Sequence, residues 1–195
     1  MKRCTFLRLF AGVSVSALPG FRSSRRAPRR VVVVGSGIVG SSIAYHLARR
    51  GAEVTVCEKD APASGATSKS FAWINASAGK RPFHYYRLNR LSSLAYRHLE
   101  AEVGGGFQVQ WGGGLEWAEE EEEARVLRRN TAQQQEWGYP IHLIEDDDFK
   151  DLEPALEPRG RVLAATWSRE EGSIDPERTT WALVEAARRE GVAIQ

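Results

Sequence analysis

The pattern of apolar and polar residues predicts a strand–helix–strand unit early in the chain. Val31–Val34 is a β-branched run that ends at a glycine, which is typical of a strand buried on both faces. Apolar residues then recur at helical spacing over Ile43–Leu47, and Gly51 is suited to end that helix. Val54–Cys57 is predicted to form a second buried strand. The pattern therefore predicts two strands joined by a crossover helix.

The rest of the chain alternates between predicted helices and strands. A long helix is predicted over Phe83–Glu102, because apolar residues recur there at helical spacing: Leu88, Leu91, Ala95 and Leu99. Acidic residues at 119–123 predict a solvated helix start rather than a metal site. Strands are predicted at Phe107–Trp111, Leu115–Trp117, Tyr139–Ile144, Val162–Trp167 and Val192–Ile194.

The segment Gly172–Pro176 predicts a further helix start. Asp175 has the side chain that favours an N-cap, and Pro176 fits the first helical position. The strand predicted after this helix begins at Val192, and the sequence stops three residues later. The expected fold is therefore an incomplete one.

Glycine spacing within the first unit indicates a dinucleotide site. Gly35 permits a tight turn, Gly37 allows a pyrophosphate to approach the backbone, and Gly40 allows the helix to pack closely on the strand. The helix then presents free N–H groups and the positive end of its dipole to phosphates. Glu58 follows the second strand, where a carboxylate can accept both hydroxyls of an adenosine ribose.

Charge separates the first 30 residues from the rest. They carry eight Lys or Arg residues and no acid, whereas the remaining 19 basic and 25 acidic residues give a net charge of −6. The basic character therefore belongs to the leader, and no base-reading motif accompanies it, so nucleic-acid binding is not expected.

The leader has the composition of a targeting segment. Lys2 and Arg3 precede a short, mostly apolar run over Phe6–Ala17, and residues 15–17 fit a small-residue cleavage site for a signal peptide. Three hypotheses stay open: export by a twin-arginine-like signal in which Cys4 replaces the second arginine, mitochondrial import, and a cytoplasmic protein whose start lies near Arg29. No segment is apolar and long enough to predict a transmembrane helix.

Cysteine and histidine usage argues against a disulfide framework or a metal site. The only cysteines are Cys4 in the leader and Cys57 in a predicted strand. The four histidines are scattered without ligand spacing, so no metal is predicted.

Several motifs together resemble the D-amino acid oxidase superfamily of FAD-dependent oxidoreductases, which includes glycine and sarcosine oxidases. The FAD-type pattern GxGxxGxxxAxxLxxxGxxVxxxE is matched in full by Gly35, Gly37, Gly40, Ala44, Leu47, Gly51, Val54 and Glu58. Ser64–Ser68 resembles the family's loop along the flavin diphosphate. Residues 114–116 resemble the start of its substrate domain, and Gly172–Pro176 resembles the return to the FAD domain.

The resemblance implies an α/β fold, with an FAD/NAD(P)-binding Rossmann-like domain and part of an interleaved α+β substrate domain. The implied division is a leader at 1–30, an FAD-binding unit with its diphosphate loop at 31–80, a partial substrate domain at 81–170, and a return to the FAD domain at 171–195. Phe71–Asn75 departs from the small, glycine-containing segment of better-known members.

The resemblance also implies FAD as cofactor and hydride transfer from a C–N bond of an amine or amino acid. The implied cofactor-binding residues are Gly35, Ser36, Gly37, Ile38, Gly40, Glu58, Lys59, Ala66, Thr67 and Ser68. No catalytic residue is assigned, because Arg81, Arg87 and Arg90 are expected to be surface residues.

Two alternatives remain at this point. The same glycine turn serves NAD-linked dehydrogenases, although the small-residue loop after Glu58 favours FAD. The chain is also short for the family, so it is either a catalytically incompetent nucleotide-binding remnant or one piece of an enzyme completed by a second chain or a missing C-terminal half.

Overall fold

A computed structural model describes residues 29–77 and 79–195 of the chain, so the predicted leader lies outside the described residues apart from its last two positions. Its strands and helices alternate along the chain in this order: β1 (Arg30–Val34), α1 (Ile38–Ala48), β2 (Glu53–Cys57), β3 (Trp73–Ile74), α2 (Phe83–Glu102), β4 (Gly114–Ala118), α3 (Glu121–Glu136), β5 (His142–Ile144), α4 (Asp146–Leu152), β6 (Ala164–Ser168), β7 (Gly172–Ser173), α5 (Pro176–Arg189) and β8 (Ala193–Ile194).

The first sheet contains the predicted strand–helix–strand unit. Its strands are parallel, with β2 between β1 and β8. Helices α1 and α5 lie against one face, where Val54, Val56 and Leu183 are buried. The predicted strand at Val192–Ile194 is present as β8, which pairs with β2. This sheet confirms the expected Rossmann-like arrangement.

The second face of this sheet contradicts the prediction that β1 is buried on both sides. Val32 is 65% exposed and Val34 is 86% exposed. Val34 pairs with Cys57, so the cysteine lies on the same face and is exposed as well, contrary to the buried position predicted for it. The physical reason is that α1 and α5 both pack on the opposite face, and no described element covers this one.

A second, antiparallel sheet has β6 between β4 and β5, and α3 packs against it around Ala124 and Leu127. Strands β3 and β7 form a separate two-stranded antiparallel pair. Each of them lies in the chain between a strand of the first sheet and a strand of the second. The structure thus contains the α+β part that the resemblance implied. The exact domain boundaries stay a prediction.

Helix α2 confirms the predicted bounds, and its buried side is the one with the tyrosines. Leu88 and Leu91 are exposed, whereas Tyr86 and Ser93 are buried. Tyr86 packs edge-on against Tyr139 and beside Trp137, with ring centroids 6.0 and 5.1 Å apart. Burying large aromatic rings removes more apolar surface from water than burying the leucines, which explains the rotation of the helix.

The strand predicted at Phe107–Trp111 is reduced to a single bridge between Gln110 and Ser173. Gln108 has φ of +52°, a left-handed conformation that interrupts an extended run. The prediction for α5 is confirmed, since the Asp175 carboxylate accepts hydrogen bonds from the backbone N–H groups of Glu177 and Arg178 at 3.0 and 2.9 Å.

One acidic side chain is buried between these units. Glu171 is 1% exposed, and its Oε1 accepts a 2.6 Å hydrogen bond from the Tyr139 hydroxyl. Burial raises the pKa of Glu171, and the Ser77 and Trp73 side chains face the same carboxyl group. The cluster therefore ties the segment between β6 and β7 to the β3 segment and to the loop after α3.

No helix among the described residues is long and apolar enough to cross a membrane.

Candidate functional site: a dinucleotide cleft at the glycine turn

The glycine turn joins β1 to α1 with no room for side chains at two positions. Gly35 has φ of +91°, and its N–H donates a 2.8 Å hydrogen bond to the Cys57 carbonyl. A Cβ on Gly40 would lie 2.0 Å from the Gly35 carbonyl oxygen, so only glycine allows the helix to approach the strand this closely. A Cβ on Gly37 would lie 2.9 Å from the Thr67 Oγ1.

Glu58 binds the turn as well as facing the cleft. Its Oε2 accepts hydrogen bonds from the Ser36 backbone N–H at 2.7 Å and the Ser36 hydroxyl at 2.9 Å, and its Oε1 accepts one from the Asp60 N–H at 3.1 Å. The Ser36 backbone N–H, followed by the Asp60 N–H and the Ser36 hydroxyl, lowers the pKa of Glu58 to about 2. The carboxylate is therefore ionised at neutral pH. Ser36 itself is fully buried, so its contribution to the site is to orient Glu58.

The loop after Glu58 closes the other side of the turn. The Thr67 Oγ1 accepts a 3.1 Å hydrogen bond from the Ile38 N–H, which is one of the backbone donors at the start of α1. The N-cap residue, Gly37, has no side chain that could fill the space in front of the helix, and the first turn of α1 contains no acid. The positive end of this helix is thus left available to an anion.

These residues surround a cavity of about 630 Å³. Six of the predicted cofactor residues line it: Gly35, Gly37, Glu58, Lys59, Ala66 and Thr67. Val34, Cys57, Ala63, Ser64 and Gly65 complete the lining. Sequence reasoning missed Cys57 as a residue of this cleft, although its place directly before Glu58 is a signal that could have found it.

The other four predicted residues do not line this cavity. Ser36 and Gly40 are structural, as described above. Ser68 lies in the same loop, where its hydroxyl donates a 3.1 Å hydrogen bond to the Gly65 carbonyl. Ile38 lines an adjoining cavity of about 210 Å³, which shares Thr67 with the first.

The adjoining cavity is lined by uncharged residues. They include Ile38, Trp73, Asn75 and Tyr96, and none of the described residues that line it is a Lys, Arg, Asp or Glu. Ala72 at its edge has φ of +55°, held by the Ser70 hydroxyl, which accepts from its N–H at 3.0 Å, and by the Ile174 N–H, which donates to its carbonyl at 3.2 Å. Desolvation disfavours a charged occupant in such a cavity and favours a neutral, partly aromatic group.

Known proteins are similar to this chain in both sequence and architecture. The sequence profile of the FAD dependent oxidoreductase family (DAO) matches residues 30–195. The chain belongs to this family. Glycine oxidase of Bacillus licheniformis is 29% identical over 169 residues, which cover 84% of the chain and 44% of that protein.

Solved structures of DAO-type enzymes have the same fold. L-proline dehydrogenase from P. horikoshii superposes with a TM-score of 0.77 at 32% identity, covering 86% of this chain and 43% of that one. L-amino acid deaminase from Proteus vulgaris superposes with a TM-score of 0.75 at 25% identity, covering 91% and 41%. The chain therefore spans less than half the length of these relatives.

Membership of the DAO family confirms the predicted fold class and the FAD dependence of the family. Among the described residues, the geometry identifies no catalytic group. Arg90 forms an ion pair with Glu170 at 2.5 Å and is not the surface residue that was expected, while Arg81 donates a 2.6 Å hydrogen bond to Asn130. Within residues 29–77 and 79–195, no group of three potential ligands is arranged to hold a metal.

The ionisation of Glu58 predicts a pH dependence of stability. Because its pKa is lowered from 4.5 to about 2, its charged hydrogen bonds stabilise the folded chain fully above pH 4.5, and this stabilisation is lost as the pH falls toward 2. We expect the unfolding free energies of the wild type and Glu58→Gln to differ most above pH 4.5 and to converge below it. Urea unfolding across this pH range measures the difference, and a pH-independent difference would contradict the assignment.

Proposed function

We propose that this chain binds FAD across the glycine turn. The observation that carries the proposal is the acid-free start of α1 at Gly37, which opens onto a cleft that ends at the ionised Glu58. The diphosphate would lie at the N–H groups around Gly37 and Ile38, with the Ala66–Ser68 loop beside it. The adenosine ribose would bind to Glu58 next to Lys59, with Gly35 beneath.

The flavin ring would lie beyond Thr67, in the adjoining uncharged cavity. Thr67 and Ile38 form the boundary between the two cavities, so a dinucleotide whose diphosphate lies there extends into both. The side chains of Trp73 and Tyr96 offer aromatic surface to a neutral ring.

We further propose that the complete enzyme oxidises a C–N bond of an amine or amino acid. When bound, FAD accepts the hydride from the carbon next to nitrogen. Support comes from relatives named glycine oxidase, L-proline dehydrogenase and L-amino acid deaminase. Since the chain spans less than half of them, a further polypeptide segment or a second chain would supply the substrate-binding groups.

The FAD proposal predicts a specific loss on mutation. Glu58→Ala is expected to weaken FAD and ADP binding by at least about tenfold, because the ribose hydroxyls lose a charged acceptor. Flavin fluorescence titration and calorimetry with ADP measure the two affinities. Glu53→Ala is the matched control, since Glu53 lies at the opposite end of β2 and, among the described residues, its side chain pairs only with Arg30, at 3.9 Å.

Several outcomes separate the candidate functions. Binding of NAD in preference to FAD would favour the NAD-linked alternative. FAD binding without loss of flavin absorbance on anaerobic addition of glycine or L-proline would identify a cofactor-binding piece that lacks catalytic competence alone. Failure of the wild type to bind either dinucleotide would refute the proposal.

We also propose that residues 1–30 act as a targeting leader. Such a leader would direct the protein either to export or to mitochondrial import. A relative from Rattus norvegicus, 27% identical, is named dimethylglycine dehydrogenase, mitochondrial. Fusing the leader to a reporter and sequencing the N-terminus of the mature product would decide between import, export and a cytoplasmic protein.

A further inference from the structure

Glu171 is buried without a cationic partner. Its side chain is 1% exposed, and among the described residues no Lys or Arg forms an ion pair with its carboxyl group. Arg90, which lies near this region, pairs with the neighbouring Glu170 instead. Removing a carboxyl group from water without a cation costs free energy, and buried acids of this kind cluster at functional sites. Glu171 is therefore a candidate for a role beyond packing.

Neutral hydrogen-bond donors surround this carboxyl group. The Tyr139 hydroxyl donates to Oε1 at 2.6 Å, and the side chains of Ser77 and Trp73 face the same group. A hydroxyl can rotate its proton toward another acceptor, and it can accept a hydrogen bond as well. The indole N–H of a tryptophan can only donate. Of the three neighbours, Trp73 therefore depends most on an acceptor at this place.

The pairing of β3 with β7 brings Glu171 and Trp73 to the same side. Trp73 lies directly opposite Ser173, and Glu171 precedes Ser173 by two residues. Side chains two apart in an extended chain point to one face, and diagonal neighbours across a strand pair are within reach of long side chains. A Cβ on Gly114 would lie 2.1 Å from the Glu171 Oε2. The carboxyl group thus fills the space beside this glycine and has little room to move.

Trp73 forms part of the wall of two cavities. One is the adjoining uncharged cavity described above, and the other, of about 400 Å³, is also lined by Phe71 and Leu115. The Trp73 ring packs edge-on against Phe71, with the ring centroids 6.5 Å apart. Glu171 is not among the described residues that line either cavity. Any effect of its carboxyl group on an occupant of these cavities is therefore transmitted through Trp73.

We propose that Glu171 is a positioning residue whose carboxyl group orients the Trp73 indole toward the flavin ring. The inference rests on the FAD site proposed above, in which Trp73 offers aromatic surface to that ring. The attraction between aromatic rings depends on their relative geometry, so an indole fixed by its N–H contributes more than one that is free to rotate. Tyr139 and Ser77 hold the carboxyl group in place, and the carboxyl group in turn holds Trp73.

The first test needs no cofactor and uses the indole N–H resonances of the full chain in an NMR spectrum. The chain has six tryptophans, and the resonance of Trp73 is the one that Trp73→Phe removes. We expect Glu171→Leu to move this resonance upfield by more than any other indole resonance, because the N–H loses its acceptor. Glu170→Leu is the matched control, since Glu170 pairs with Arg90, and it should leave the Trp73 resonance in place.

The second test compares the affinities for FAD and for ADP, which lacks the flavin ring. Glu171→Leu and Trp73→Phe are each expected to weaken FAD binding by about fivefold and to leave ADP binding within about twofold of wild type. Adding Glu171→Leu to Trp73→Phe should cause no further loss of FAD affinity, because the carboxyl group acts through the indole. A merely structural role would lower both affinities together. Glu171→Gln keeps one acceptor oxygen and should retain most of the FAD affinity.

Two results would overturn the inference while the FAD site stands. An unmoved Trp73 resonance in Glu171→Leu would show that the carboxyl group does not hold the indole. An unchanged ratio of FAD to ADP affinity in Glu171→Leu and Trp73→Phe would show that the indole does not serve the flavin. If circular dichroism shows that Glu171→Leu is unfolded, Trp73→Phe and Glu171→Gln decide by the same measurements. Failure of the wild type to bind FAD would instead refute the FAD site, and the flavin role of Trp73 with it.

Discussion

Replacing Gly40 with alanine is expected to destabilise the chain by about 3 kcal/mol or more and to abolish dinucleotide binding. The new Cβ would lie 2.0 Å from the Gly35 carbonyl oxygen and 3.1 Å from its carbon. Both are backbone atoms, so no side-chain rotation relieves the contact. Helix α1 would have to move off β1, which opens the turn and separates the N–H groups of the helix from Glu58.

Gly65→Ala is the matched control for this substitution. Gly65 lines the same cleft, and no atom lies within 4 Å of a Cβ built there. We expect its unfolding free energy to stay within about 0.5 kcal/mol of wild type. Urea unfolding and FAD titration of both variants provide the measurement. Equal midpoints for the two would show that the close helix–strand contact does not require glycine.

Local rules account for what the sequence predicted well. The turn at Gly35, Gly37 and Gly40 is specified within six residues by backbone space and conformation. The same holds at Asp175 and Pro176, where capping depends only on the next few residues. The family and the fold follow from these motifs, because a dinucleotide and a strand–helix–strand crossover both require this spacing of glycines.

The sequence pattern could not predict which side of α2 is buried. Leucines and tyrosines both recur at helical spacing over Phe83–Glu102, so periodicity describes two overlapping apolar sides. Which side is buried depends on contacts with distant segments of the chain. The Tyr86 ring packs beside Trp137, and the Tyr96 ring packs against Phe107. The same limit explains β1, since a β-branched run does not reveal whether one face or both will be covered.

The buried carboxyl of Glu171 also had no signal in the sequence. An acidic residue is rarely fully buried unless it is paired, and its partner, Tyr139, lies 32 residues earlier in the chain. This pairing is a consequence of how the segment before β7, β3 and the loop after α3 meet, which only the tertiary structure determines.

Tyr139→Phe is expected to destabilise the folded chain by about 2–4 kcal/mol, the second largest effect. The tyrosine hydroxyl donates to Glu171 Oε1 at 2.6 Å and accepts from the Ala76 N–H at 3.3 Å. Burial, reinforced by the charge of Glu171, raises the pKa of Tyr139, so the hydroxyl keeps its proton and remains a donor. Phenylalanine fills the same space but leaves two buried polar groups without this partner.

A double-mutant cycle identifies the origin of this loss. Tyr85→Phe, on the exposed surface of α2, is the matched control and should change the unfolding free energy by less than about 0.5 kcal/mol. If the Glu171 contact carries most of the loss, combining Tyr139→Phe with Glu171→Gln should cost less than the two single changes added together, since an amide is less costly than a carboxyl to leave unpaired. Strict additivity would mean that the hydroxyl acts mainly through the Ala76 N–H, and that Glu171 is held by Ser77 and Trp73 alone.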